Sequence, residues 1–238
     1  MTQLVTLAEG VHTLESTLRI HAGFYLPVRS TLLRLDDGSL LMISPLRIDD
    51  ALAARVDALG PISHIVAPSN LHHLFVGEAA VRWPSARVLL PSGLPAKLAR
   101  LGRAVPLHSV LPADLPSGVQ GVLLDGVPAM GETVFFHAAS RTLVVTDLVF
   151  HVLAPEGLLT GLILRMVGAH RVLAQSRALR LLTRDREAAR ASLEQVLALD
   201  FTRLVMAHGA VVDVDAKARL RGALHYMLRA PRALPLPA

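Results

Sequence analysis

The sequence predicts an α/β protein built from packed layers of strands and helices. Three observations carry that expectation. From about residue 49 to 124, apolar strand-like runs alternate with amphipathic stretches, the order that lays helices against a sheet. Hydrophobic residues make up 52% of the 238 positions and charged residues only 18%, which suits a large buried core and excludes a disordered chain. Several strand-like runs also end directly in His or Asp, at the kind of loop that rigid elements position for chemistry.

The elements follow in order. Residues 4–35 read as short strands with turns, with Val11–Leu14 and Leu18–Ile20 as one hairpin. Thr31–Leu35 and Ser39–Ile43 form another around Asp36-Asp37-Gly38, whose Gly supplies the positive φ of a tight turn. Asp49–Leu59 is a helix with an acidic start, stopped by Gly60-Pro61. Then comes ISHIVAPSNLHHLF, residues 62–75: a strand, a polar loop, and adjacent His72 and His73 at the mouth of a helix running from Leu71 to Trp83. Val88–Leu90 is a strand, Pro95–Leu101 a short helix, and residues 105–121 a Pro- and Gly-rich loop. Gly121–Leu124 is a further strand. Thr133–His137 and Thr142–Thr146 pair around Ala138–Arg141, with Asp147 at the end of the returning strand. Gly157–Val167 and Arg171–Leu182 read as apolar, Arg-bearing helices, and Asp185–Leu199 as an amphipathic one. Arg203–Ala207 is a strand ending at His208-Gly209. A last helix spans about 215–228, before a frayed ALPLPA tail. No polar linker cuts the chain, so residues 1–238 are read as a single domain.

Composition narrows the function. The net charge of +5 comes from dispersed arginines, with Lys97 and Lys217 the only lysines and aromatics at 4%, so nucleic-acid binding is not expected. There is no cysteine, so any metal must be held by His, Asp or Glu. The start of the chain does not read as a signal peptide and no apolar run is long enough for a membrane span, so a soluble cytoplasmic protein is expected.

The segments IVAPSNLHHLF, ETVFFHAASRTLVVTDLVF and VMAHG together resemble the metallo-β-lactamase superfamily, over nearly the whole chain in element order. They are closest to a branch known as a domain of unknown function, whose loop reads roughly I-V-A-P-N-x-x-H-H. The resemblance implies a four-layer αβ/βα sandwich with a metal site at the edge of the two sheets. The family loop T-H-x-H-x-D-H is degenerate here. Pro68 and Asn70 fall where its two earlier histidines stand, and Met130 where a P-G-H histidine stands, so the family's first metal site is missing. The second site carries over as His72, His73, Asp147 and His208.

That set implies one divalent ion, with Zn²⁺ expected first and Fe²⁺ or Mn²⁺ as alternatives. His72 is read either as a ligand or as a helix-start hydrogen-bonding residue, and Asp147 either as a ligand or as a cap. His137 is read as structural, His151 as a lesser candidate ligand, and Glu132 as solvent-facing. Two functions follow from the resemblance. One is a divergent metal-dependent hydrolase acting on a small ester or lactone. The other is a non-catalytic member that binds a ligand or partner, with the segment 157–182 as a dimer face, a lid or a lipid-facing surface. A redox enzyme is less favoured, since no Gly-rich flavin motif occurs.

Overall fold

In the computed structural model, which describes residues 2–229, two β-sheets face each other across an apolar seam. The first has seven strands in sequence order: β1 (Gln3–Ala8), β2 (Val11–His21), β3 (Phe24–Arg34), β4 (Leu40–Ile43), β5 (Ile62–Val66), β6 (Arg87–Leu90) and β7 (Ser109–Val110). The joints from β1 to β4 are antiparallel and those from β4 to β7 parallel. The second has four strands, ordered β11 (Arg203–Met206), β10 (Thr142–Val145), β9 (Thr133–His137) and β8 (Val119–Leu123), with the β10–β11 joint parallel. Parallel joints need crossovers, and helices supply them. They are α1 (Asp50–Asp57), α2 (Val76–Arg82) and α3 (Leu94–Arg100) around the first sheet. Between β10 and β11 come α4 (Leu158–Met166), which packs back on β3 of the first sheet, then α5 (Arg177–Leu182) and α6 (Arg186–Ala198), and β11 is followed by α7 (Ala216–Ala223) and α8 (His225–Leu228).

Side-chain alternation sorts each strand into layers. On β4, Leu41 and Ile43 enter the seam between the sheets while Leu40 and Met42 pack outward with Leu52 and Val56 of α1. On β10, Val144 enters the seam beside Phe135, and Leu143 and Val145 turn toward Leu193 and Val196 of α6. Both faces of these strands are buried, which is why β4, β10 and β11 carry the apolar runs LLMI, LVV and LVM. Each fully buried Leu or Val contributes roughly 1.5–3 kcal/mol of transfer free energy, so this seam anchors the sheet ends that carry the polar residues. The helix–sheet–sheet–helix order is the four-layer α/β sandwich expected from the resemblance.

Several local expectations are corrected. The first strands are long: β2 and β3 each span 11 residues and pair over nearly their whole length, around a turn at Ala22-Gly23. Leu71–Phe75 is not helical, because Ser69 Oγ accepts the amides of Leu71 and His72 and holds a turn, so α2 begins only at Val76. The expected Arg171–Leu182 helix is cut short. Arg171 has a φ of 58° and Ala174 bridges to Phe150, so α5 starts after its Ser176 cap. The 105–121 loop contains β7 and the start of β8. The expected frayed tail lies outside the described residues.

Candidate metal centre

Three side chains meet where the strands of both sheets end. His72 lies in the turn after β5, Asp147 two residues after β10, and His208 two residues after β11. His72 Nε2 stands 3.2 Å from Asp147 Oδ2, and His208 Nε2 stands 3.3 Å from Asp147 Oδ1. One ligand atom from each of the three lies within 4.8 Å of the others. Neither contact is aligned as a hydrogen bond, and buried Oδ2 has no hydrogen-bond donor.

The outer nitrogens of both rings are held. Ser44 Oγ lies 2.8 Å from His72 Nδ1, and Ser44 is presented by a positive φ of 55° at the end of β4. His208 Nδ1 donates to the Pro27 carbonyl at 2.8 Å, and the ring stacks on Phe150 with centroids 5.0 Å apart. A carbonyl can only accept, so this bond puts the proton on Nδ1 and leaves the Nε2 of a neutral His208 as a bare lone pair. That lone pair faces a carboxylate oxygen.

The backbone carrying His208 is also fixed. Arg29, buried on β3, donates through Nη1 to the carbonyls of Met206 at 2.5 Å and Gly209 at 2.7 Å, and through Nε to Glu15 at 3.0 Å. It ties the His208 turn to the opposite sheet. Gly209 has a φ of 108°, and a Cβ there would sit 2.1 Å from the His151 carbonyl oxygen. Only glycine suits that crossing.

Glu132 corrects an expectation. It is not solvent-facing but fully buried, and its two oxygens accept the amides of Thr146 at 2.6 Å and Asp147 at 3.0 Å. It therefore clamps the strand end that presents Asp147. Burial and then the Asp147 charge push its pKa up to about 7, against the pull of the Thr146 amide and His72. Burial opposes the charge on Asp147, but the two imidazoles outweigh it and hold this carboxyl below the ordinary range. Burial opposes the charged form of His72 as well. Asp147, with a smaller pull from Glu132, overcomes it and raises that pKa.

His73 stands outside the group of three. It lines the same cavity, is buried, and its Nδ1 has no hydrogen-bond partner. Burial, then Lys97 and Arg103, lower its pKa. His151 spends Nδ1 on the Ala210 carbonyl and Nε2 on Arg219, and His137 bonds Ser140 and the Arg34 carbonyl, so both are structural. Ser44 and Arg29 were not singled out from the sequence. A serine between an apolar run and a proline is the only hint of Ser44, and nothing local distinguishes Arg29.

A cavity of about 200 Å³ opens over the three side chains. Its walls are apolar: Leu18, Ile20, Leu26 and Val28 of the β2–β3 hairpin on one side, Leu46, Leu71, Leu74 and Phe75 on the other.

Solved structures with the same architecture span almost the entire chain. A metallo-β-lactamase from Pontibacter korlensis superposes with a TM-score of 0.66 at 13% identity, covering 97% of this chain and 100% of its own. One from Hirschia baltica gives 0.63 at 12% identity, covering 97% and 99%. The metallo-β-lactamase FIM-1 from Pseudomonas aeruginosa, in its mono-zinc form, gives 0.59 at 12% identity, covering 95% and 93%. The chain has the metallo-β-lactamase fold. No protein-family model and no curated protein sequence matches it. Within the metallo-β-lactamase fold, Pro68, Asn70 and Met130 hold structural places. The Pro68 carbonyl accepts Thr133 N, Asn70 bonds backbone at Met130 and Pro128, and Met130 is buried in the core beside α6.

Proposed function

We propose that the protein is a single-metal hydrolase-like enzyme that takes a small, apolar ester or lactone into the cavity above His72, Asp147 and His208. The observation that carries this is the His208 Nε2, a bare lone pair in the neutral ring, facing Asp147 Oδ1 at 3.3 Å. Two lone pairs so placed need a cation or a shared proton between them. The donor set fits a divalent ion, with two imidazoles, one carboxylate with an orphaned oxygen, and both outer ring nitrogens pinned. The 3.2 and 3.3 Å separations also match neighbouring ligands bonded at about 2 Å to one ion.

When bound, such an ion supplies Lewis acidity, acidifying water and polarising a carbonyl. The chain does the rest. Ser44 and the Pro27 carbonyl fix the ring orientations, Arg29 and Glu132 fix the backbone beneath His208 and Asp147, and the leucine-rich walls exclude water and receive a hydrocarbon group. Zn²⁺ suits the set best, with Fe²⁺ and Mn²⁺ as alternatives. His73 is a wall residue in this reading rather than the fourth ligand expected from the resemblance.

The test is hydrolysis of p-nitrophenyl acyl esters and lactones of increasing chain length by protein loaded with each metal. Activity that rises with chain length and vanishes in Asp147→Ala supports the reading. A second reading is favoured by the structural use of Pro68 and Asn70: a non-catalytic member that binds an apolar ligand. Metal uptake and ligand-induced stabilisation with no turnover on any ester or lactone would establish it.

A further inference from the structure

One helix exposes an almost wholly apolar outer face. The inner side of α4 buries Thr160, Gly161 and Leu164. Its outer side carries Leu158, Leu159, Leu162 and Met166, all exposed, with Leu158 at 96%. Positions 158, 162 and 166 fall on one stripe of a helix, so the apolar side chains form a continuous ridge. A surface helix of a globular protein normally presents charge there.

The ridge is bordered by positive charge. Arg165 lies on the last turn of α4, Arg171 in the turn that follows, and Arg177 reaches back to donate to the Met166 carbonyl at 3.2 Å. All three are exposed, and none is ion-paired among the described residues. Between residues 153 and 184 there are five arginines and one acidic residue, Glu156. An apolar ridge with cations at its edge matches the acyl layer and anionic headgroups of a bilayer surface. The arginines alone would repel one another across a symmetric contact, which disfavours a second copy.

The ridge is mounted rigidly. Thr160 Oγ1 accepts the Tyr25 amide at 2.9 Å and donates to the Tyr25 carbonyl at 3.2 Å, seating α4 on the β2–β3 hairpin. No described helix is long and apolar enough to cross a membrane, so contact through α4 is interfacial.

We propose that the outer face of α4, with Arg165, Arg171 and Arg177, docks on an anionic lipid bilayer. The hairpin that carries α4 also forms a wall of the cavity, through Ile20 among others, so docking sets the cavity beside a source of apolar molecules. The proposal stands without the metal reading.

Flotation of the full chain tests it, with vesicles of phosphatidylcholine alone and of phosphatidylcholine mixed with phosphatidylglycerol. Wild type should float with the mixed vesicles, far less with the neutral ones, and be released by raised salt. Leu158→Asp/Leu162→Asp and Arg165→Glu/Arg171→Glu should each weaken binding by about tenfold or more. Their melting temperatures should stay unchanged, because these side chains face solvent. The proposal is overturned if wild type fails to float, or if either double variant floats as well as wild type. It is equally overturned if wild type is a dimer that the leucine pair splits while neither form binds vesicles.

Discussion

Two corners of the same loop have gone opposite ways. At Asn70 the polar groups are spent on structure: its amide donates to the Met130 carbonyl, Nδ2 to the Pro128 carbonyl, and Lys97 donates to its own carbonyl at 2.5 Å, leaving Oδ1 alone without a partner. The space beside it is closed, since a Cβ on Gly131 would stand 2.9 Å from Asn70 Nδ2. Two residues on, at His72, the polar atoms are oriented but unspent. The rings are steered from outside by Ser44 and Pro27, and the carboxylate between them keeps an orphaned oxygen. Two places that the resemblance makes equivalent in kind thus differ in chemistry. One is a structural joint, and the other keeps the unsatisfied electron pairs on which the proposed binding site rests.

Breaking the support of the open corner should have the largest effect. Gly209→Ala forces a Cβ into the His151 carbonyl and should lower stability by roughly 2–4 kcal/mol, read by denaturant unfolding. Ser44→Ala removes the steering of His72 while leaving the ligand, and should weaken metal affinity about 10–100-fold, measured by competition with a chromophoric chelator. Glu132→Gln acts on pH dependence. Glu132 rises from 4.5 to about 7 on folding, so the folded state holds a proton that the unfolded chain has released between those values. Stability present below pH 4.5 is therefore lost as pH rises through about 7, and the melting temperature of metal-stripped Glu132→Gln should decline less over that window. Asn70→Ala should cost about 1 kcal/mol of stability and leave metal affinity within about threefold, because that corner is structural.

The layer order was legible in the sequence, and all three clustered residues were named from it, with His73 beside them. Asp147 and His208 each follow an unbroken apolar run, and a strand buried on both faces delivers its next polar residue to the sheet edge. The choice between His72 and His73 was not legible. Spacing does not say which adjacent ring turns inward, and the Ser69 turn decides it by replacing the expected first turn of α2. Glu132 was misjudged for a related reason. Its burial comes from the end of β10, whose two amides need an acceptor, and that neighbour is distant in sequence. The helix at 171–182 failed because bridge pairing to Phe150 outweighed local propensity.

The central claim is that one divalent ion sits between His72, Asp147 and His208. Metal content per chain tests it most directly, measured by mass spectrometry on protein purified without chelator and equilibrated with Zn²⁺, wild type beside Asp147→Ala and His73→Ala. The account predicts one ion in wild type, one in His73→Ala and none in Asp147→Ala. A metal-free wild type, or an Asp147→Ala protein that still takes up one ion, would contradict it.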